Sequence, residues 1–121
     1  MSARNISEYE AISNVVQQYL DGAKAGKSAL MKPAFHKEAT VAGYVGKDLD
    51  HGPIQRLFDW TDKVGPSKNI VAKIVSIEII ETVASVRVES EHWDKYRFSD
   101  FLNLLKVDGR WKIMNKVFHT W

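Results

Sequence analysis

Cysteine is absent from these 121 residues, which excludes disulfides, zinc–thiolate sites and thiol nucleophiles. Excess charge of one sign is also missing. Seventeen Lys and Arg stand against 15 Asp and Glu, a net charge of +2, too small to argue for a nucleic-acid or membrane-surface partner. Lys24, Lys27, Lys32 and Lys37 form the densest basic group and read as a solvated helix end. No apolar run approaches the ~18 residues that span a bilayer. The opening MSARNISEYE has no apolar core of a secretory signal, so the expected location is the cytoplasm. His36, His51, His92 and His119 show no His-x-His or His-Glu-x-x-His spacing. Gly43, Gly46 and Gly52 lack the strand–helix context and lysine of a phosphate loop, and there is no nucleophile-elbow motif. No metal or cofactor is expected.

What is present fits one domain over residues 1–121, with enough chain to bury roughly two-thirds of its unfolded surface. Ser7-Glu8-Tyr9-Glu10 has the form of a capping box. Tyr9, Ile12, Val15, Val16, Tyr19, Leu20 and Ala23 follow at helical spacing, which predicts a helix over 7–25 stopped at Gly26. Ser28 is positioned to cap a short helix through Phe35, limited by Pro33. Residues 39–46 are strand-like. Gly52-Pro53 predicts a third helix with Pro at its first position, whose inner face carries Ile54, Leu57, Phe58, Thr61 and Val64 and whose edge carries Trp60.

Beyond Ile70 the pattern changes to strands. Residues 70–80 are dense in β-branched side chains, which predicts cover on both faces. Residues 83–93 alternate, with Ala84, Val86, Val88, Ser90 and His92 on one face and Trp93 on the other. Strands over 96–107 and 110–120 flank Asp108-Gly109, a hairpin-turn dipeptide. The predicted order is α-α-β-α-β-β-β-β, an α+β fold with helices against one face of a mainly antiparallel sheet.

Four stretches carry a family resemblance: YLDGAKAGK, AFHKEATVAGYVG, HGPIQRLF and DGRWKIMNKVF. With these, the chain resembles the nuclear transport factor 2-like (SnoaL-like) superfamily and, within it, the lumazine-binding-like subgroup. The resemblance covers nearly the whole chain. It implies a cone-shaped barrel, a curved sheet wrapped around the long N-terminal helix, with three helices in all. It also implies a homodimer formed through the sheet. The ketosteroid isomerases share this fold, and their pattern lays onto residues 19–58. Tyr19 falls where they place an oxyanion-stabilising tyrosine. Gly43 stands at the position of their general-base aspartate, and a glycine cannot move a proton. Their second oxyanion donor falls near Asn103.

The candidate site residues follow from type and position. Tyr19 places a phenol on a buried stripe, where it needs a partner or a cavity. His36 offers a base near neutral pH or a helix C-cap. Asp100 lies in phase with Phe98 and Leu102, so an inward-facing side chain is desolvated and suited to act as a base. Asn103 faces opposite to Asp100 unless the strand bulges. His92 continues an apolar face, and Lys116 alternates with Met114 and Phe118, reading as an aliphatic stem under an amine that reaches water. Tyr44 and Trp60 are candidate cavity walls. Three functions stay open: binding of a small, flat or polycyclic organic ligand in an apolar pocket; a cofactor-free isomerase, cyclase or dehydratase with Asp100 or His36 as base and Tyr19 as oxyanion donor; and a dimeric protein-interaction module.

Overall fold

The structure, a computed structural model, describes residues 3–121. Helix α1 runs from Ala3 to Ala25, so Ser7 lies inside it and the capping-box reading fails. Glu8 instead accepts hydrogen bonds from Lys106 Nζ and Trp111 Nε1, each at 2.7 Å, tying the start of α1 to the far hairpin. Ile12, Val16, Tyr19 and Ala23 are fully buried, the spacing of a single helical face against a core. Gly26, at φ +66°, ends the helix, and any Cβ there would collide with Gly65. The end of α1 therefore lies against the backbone at Gly65-Pro66.

Helix α2 (Ser28–Met31) is one turn, followed by a 3₁₀ turn at Lys32–Ala34 that contains Pro33. Strand β1 (Phe35–Val45) starts where the second helix was expected to end, and β2 (Asp48–Pro53) occupies the segment expected to open the third helix. Gly52-Pro53 thus closes a strand rather than starting a helix. Helix α3 is Gln55–Val64. Strands β3 (Val71–Ile80), β4 (Val83–Trp93), β5 (Tyr96–Val107) and β6 (Arg110–Thr120) complete the chain. Asp108 and Gly109 both have positive φ, as a tight hairpin between twisted strands requires.

The six strands form one unclosed sheet in the order β2-β1-β6-β5-β4-β3. Every neighbouring pair is antiparallel except β1 with β6. The sheet wraps α1, and the core lies between them. Strand β3 forms an edge. Its inner side chains Ala72, Ile74, Ile77 and Ile79 are partly buried, while Val71, Val75 and Ile80 are exposed. Cover on both faces was the wrong inference, because its β-branched density reflects strand propensity.

Two bulges decide which side chains reach the interior. In β4 the register shifts between Ser90 and Trp93, and His92 takes φ 61°. The extra residue reverses the alternation, so Trp93 is fully buried and His92 is exposed, opposite to their simple strand phase. In β6, Asn103 pairs with Asn115 and Leu104 with Ile113, leaving Met114 as the extra residue. Trp111 and Ile113 point inward before the bulge, and Lys116 points inward after it. Without that bulge Lys116 would share the outer face. Bulges also bend the strands that carry them, which suits a wrapped sheet.

Candidate functional site

Tyr19 from the middle of α1, Asp100 from β5 and Lys116 from β6 meet in the core. The Tyr19 hydroxyl donates to Asp100 Oδ2 at 2.7 Å and accepts from Lys116 Nζ at 2.8 Å. Lys116 Nζ lies 4.0 Å from the same carboxylate oxygen, so the phenol bridges the charged pair. Asp100 is 1% exposed and Lys116 3%. The lysine does not reach water. Its amine sits among aromatic rings instead, 4.6 Å from the Trp93 centroid, 5.1 Å from Tyr19, 5.3 Å from Phe118 and 5.4 Å from Phe98. Ring faces of this kind attract a cation where water is excluded.

Burial is the largest influence on the protonation equilibrium of each of the three groups. It pushes the Asp100 carboxyl above its ordinary range, against the pull of Lys116 and the Tyr19 hydrogen bond. It pushes the Lys116 amine down, against Asp100 and, more weakly, Asp50. Tyr19 is raised by burial first and by Asp100 second. Lysine and aspartate therefore both shift toward their neutral forms. The hydrogen-bond directions allow that exchange without a net change of charge. A proton moving from Lys116 to the Tyr19 oxygen, as the Tyr19 proton moves to Asp100, leaves a neutral amine and a carboxylic acid.

Lys116 forms part of the lining of a cavity of about 80 Å³. Trp60, Tyr96, Phe98 and Phe118 supply aromatic walls, and Val41, Val45 and Leu57 aliphatic ones. At the rim, the Arg56 guanidinium from α3 pairs with Asp50 from β2, its Nε at 2.7 Å from Oδ1. The volume is small beside the ~300–1,000 Å³ of sites for drug-sized ligands. It suits a single ring or short chain better than a polycyclic molecule. Two buried polar atoms in this layer, Asp100 Oδ1 and Trp93 Nε1, have no hydrogen-bond partner. An unpaired buried donor or acceptor costs about 1–3 kcal/mol.

The space beside Gly43, where the resemblance to the ketosteroid isomerases would put their base, is filled. A Cβ on Gly43 would lie 2.4 Å from the Phe118 carbonyl oxygen and 2.6 Å from its ring. Phe118, paired with Gly43 across β1 and β6, takes the space an aspartate would need.

The other expected site residues lie apart from this chain of three or beside it. Trp60 forms a cavity wall. His36 lies in a separate cleft with Lys32 and Phe58, its Nδ1 accepting from the Glu38 N–H at 3.0 Å. Tyr44 is 55% exposed. His92 is exposed through the β4 bulge. Asn103 is on the outer face, donating to Asn115 Oδ1 at 3.0 Å. Sequence reading missed Phe98, Trp93 and Phe118 as the rings around the lysine, and Asp50 and Arg56 as the rim. The spacing of Asp50 and Arg56 around Gly52-Pro53 was a usable signal once β2 is recognised as a strand. Among the described residues, no cluster of His, Asp and Glu is arranged to hold a metal ion, and no helix is long and apolar enough to cross a membrane.

A helix-filled, curved sheet with a polar group at the base of an aromatic cavity defines a nuclear transport factor 2-like domain. Within that superfamily the chain belongs to the family described as "Putative lumazine-binding", whose model matches residues 7–119. It is 33% identical over 116 residues to the aldolase FrzH of Cladobotryum sp., covering 95% of this chain and 93% of that protein. Two solved structures of NTF2-like proteins of unknown function are similar throughout. The Shewanella baltica OS155 protein is 41% identical with a TM-score of 0.93, covering 100% of this chain and 98% of that one. The Methylobacillus flagellatus KT protein is 44% identical with a TM-score of 0.92, covering 100% and 95%.

Proposed function

We propose that the cavity binds a small carbonyl compound and that the Lys116–Tyr19–Asp100 chain moves a proton at the carbon next to the carbonyl, without a cofactor. The observation that carries this reading is the placement of Lys116. It belongs both to the cavity lining and to a buried hydrogen-bonded chain that ends in a carboxylate. Deprotonation beside a carbonyl needs a base and a donor for the developing enolate oxygen. A chain with one mobile proton between an amine and a carboxylate supplies both, with the chain itself buried. Aromatic walls favour a flat or cyclic substrate. Aldol chemistry proceeds through such a proton removal, and a relative similar over almost the whole chain is named an aldolase. Isomerase, cyclase and dehydratase reactions use the same first step.

The test is exchange of α-protons into D2O, followed by NMR, with cyclohexanone, cyclopentanone and 2-butanone as probes. Wild type should accelerate exchange of at least one. Tyr19→Phe and Asp100→Asn should slow it by about 10²–10⁴-fold, the usual contribution of a general acid or base. Wild-type rates in both variants, or no acceleration by the wild type, would remove the reading.

A second copy of the chain is the partner we propose for the outer sheet face. Phe101 and Val117, directly paired across β5 and β6, are both exposed there. The association is a two-fold dimer, with Phe101→Asp expected to give monomers in light scattering. The proposed location is the cytoplasm, to be checked by fractionation.

A further inference from the structure

We infer that Lys116 Nζ captures its carbonyl substrate covalently: the aldehyde or ketone group seated in the cavity condenses with this amine to an imine. The inference rests on the carbonyl reading above and specifies how the substrate is held. Among the described residues Lys116 is the buried lysine, and it is the one lysine among the residues lining the aromatic cavity. Exposed lysines are strongly hydrated and protonated near neutral pH, whereas a buried amine is the form used by Schiff-base lysines. Its nearest hydrogen-bond partner is a phenol already bonded to a buried acid. Four aromatic rings surround the amine.

The atoms balance along the chain. Lys116 passes one proton through Tyr19 to Asp100 and becomes a neutral amine. The nitrogen lone pair forms the C–N bond while the carbonyl π pair moves to oxygen. That oxygen takes a proton returned from Asp100 through Tyr19. Nitrogen then releases its second proton, the C–O bond breaks, and the hydroxyl leaves with that proton as water. The sum is protonated amine plus carbonyl giving protonated imine plus water. Protonated imine is an electron sink for the neighbouring C–H. Its proton passes to the Tyr19 oxygen as the phenol proton passes to the Asp100 carboxylate. The Asp50–Arg56 pair at the rim is too exposed to take part in these steps, at 34% and 53%.

The experiment is reductive trapping of the full chain with cyclohexanone and cyanoborohydride near neutral pH. Intact mass would be followed in time and the modified peptide mapped. The first cyclohexyl increment should fall on Lys116, ahead of every exposed lysine. Lys116→Met should lose that increment and Lys112→Arg should keep it. Tyr19→Phe and Asp100→Asn retain the amine but break the relay, and should trap more slowly. Thermal melting of each variant reports whether it is folded, and the wild-type peptide map needs no variant. First labelling at exposed lysines with Lys116 last overturns the inference. So does unchanged α-exchange in Lys116→Arg, which keeps a donor but cannot form an imine. In that case the carbonyl-binding reading survives, because exchange continues. Failure of wild type to bind or exchange any of the three ketones removes both.

Discussion

The cavity has a charged pair at each end, and the two are built in opposite ways. At the rim, Asp50 and Arg56 are joined by a guanidinium fork and stand partly in water. At the floor, Asp100 and Lys116 are buried, 4.0 Å apart, and joined through a phenol. An exposed pair contributes about 0–1 kcal/mol, because its Coulomb gain is screened and its side chains lose freedom. A buried pair has a desolvation cost that its attraction does not reliably offset. The rim is cheap and dispensable to the fold. The floor is an expensive arrangement for stability alone, with a carboxylate oxygen still unpaired. That contrast is the physical case for chemistry at the floor.

The largest expected effect separates the two pairs directly. Lys116→Ala leaves the Asp100 carboxyl buried without its cation and should lower stability by about 3–5 kcal/mol. The double substitution Asp100→Leu with Lys116→Met should recover most of that loss, since well-packed apolar replacements of a buried pair are often neutral or better. Chemical denaturation of the three proteins gives the cycle. Recovery with loss of α-exchange would sharpen the comparison, and no recovery would show that the pair is structural.

Next in size is the aromatic enclosure. Trp93→Ala should cost about 3–5 kcal/mol, as a fully buried Trp leaves a large void. It should also weaken ligand binding, because Trp93 supplies the nearest ring to the amine. Arg56→Ala at the rim should change stability by less than about 1 kcal/mol. Its effect should appear instead in the ligand dissociation constant, measured by titration calorimetry.

The smallest effect is a pH dependence away from the cavity. Asp62 accepts from the Ser28 backbone N–H at 2.8 Å and from its hydroxyl at 2.7 Å. The backbone bond, first, and the hydroxyl bond hold its carboxyl below the usual 3.8. A depressed folded value means the contribution is fully present above the unfolded value and fades as pH falls through the folded one. Asp62→Asn should therefore be less stable than wild type near pH 6, with the gap closing below about pH 4. A gap that persists unchanged at pH 2 would rule out this carboxylate as its source.

The fold was legible in large part because its long elements follow simple periods. The α1 stripe through Ile12, Val16 and Tyr19, the Asp108-Gly109 turn and the last three strands all read correctly. Strand β2 did not, since Asp48–Pro53 is short, edge-placed and mostly exposed, with no apolar alternation to show it. The start of α1 also misread, because a helix that continues past a serine silences its capping signal. The site was legible in its types and obscure in its facing. Tyr19 is placed by helical period and Asp100 by strand phase. Lys116 and Trp93 depend on bulges at Met114 and at His92, and a one-residue insertion reverses every side chain beyond it. No local composition marks either bulge. Asn103 faces outward by simple strand phase opposite Asp100, whereas Lys116 turns inward only through the β6 bulge.

The most direct measurement compares wild type with the Asp100→Leu, Lys116→Met double variant in ketone α-exchange, after confirming that both melt cooperatively at similar temperatures. The account predicts a folded double variant in which exchange falls to the solvent rate. A folded double variant that exchanges cyclohexanone protons as fast as wild type would contradict it, and would return the buried pair to a purely structural role.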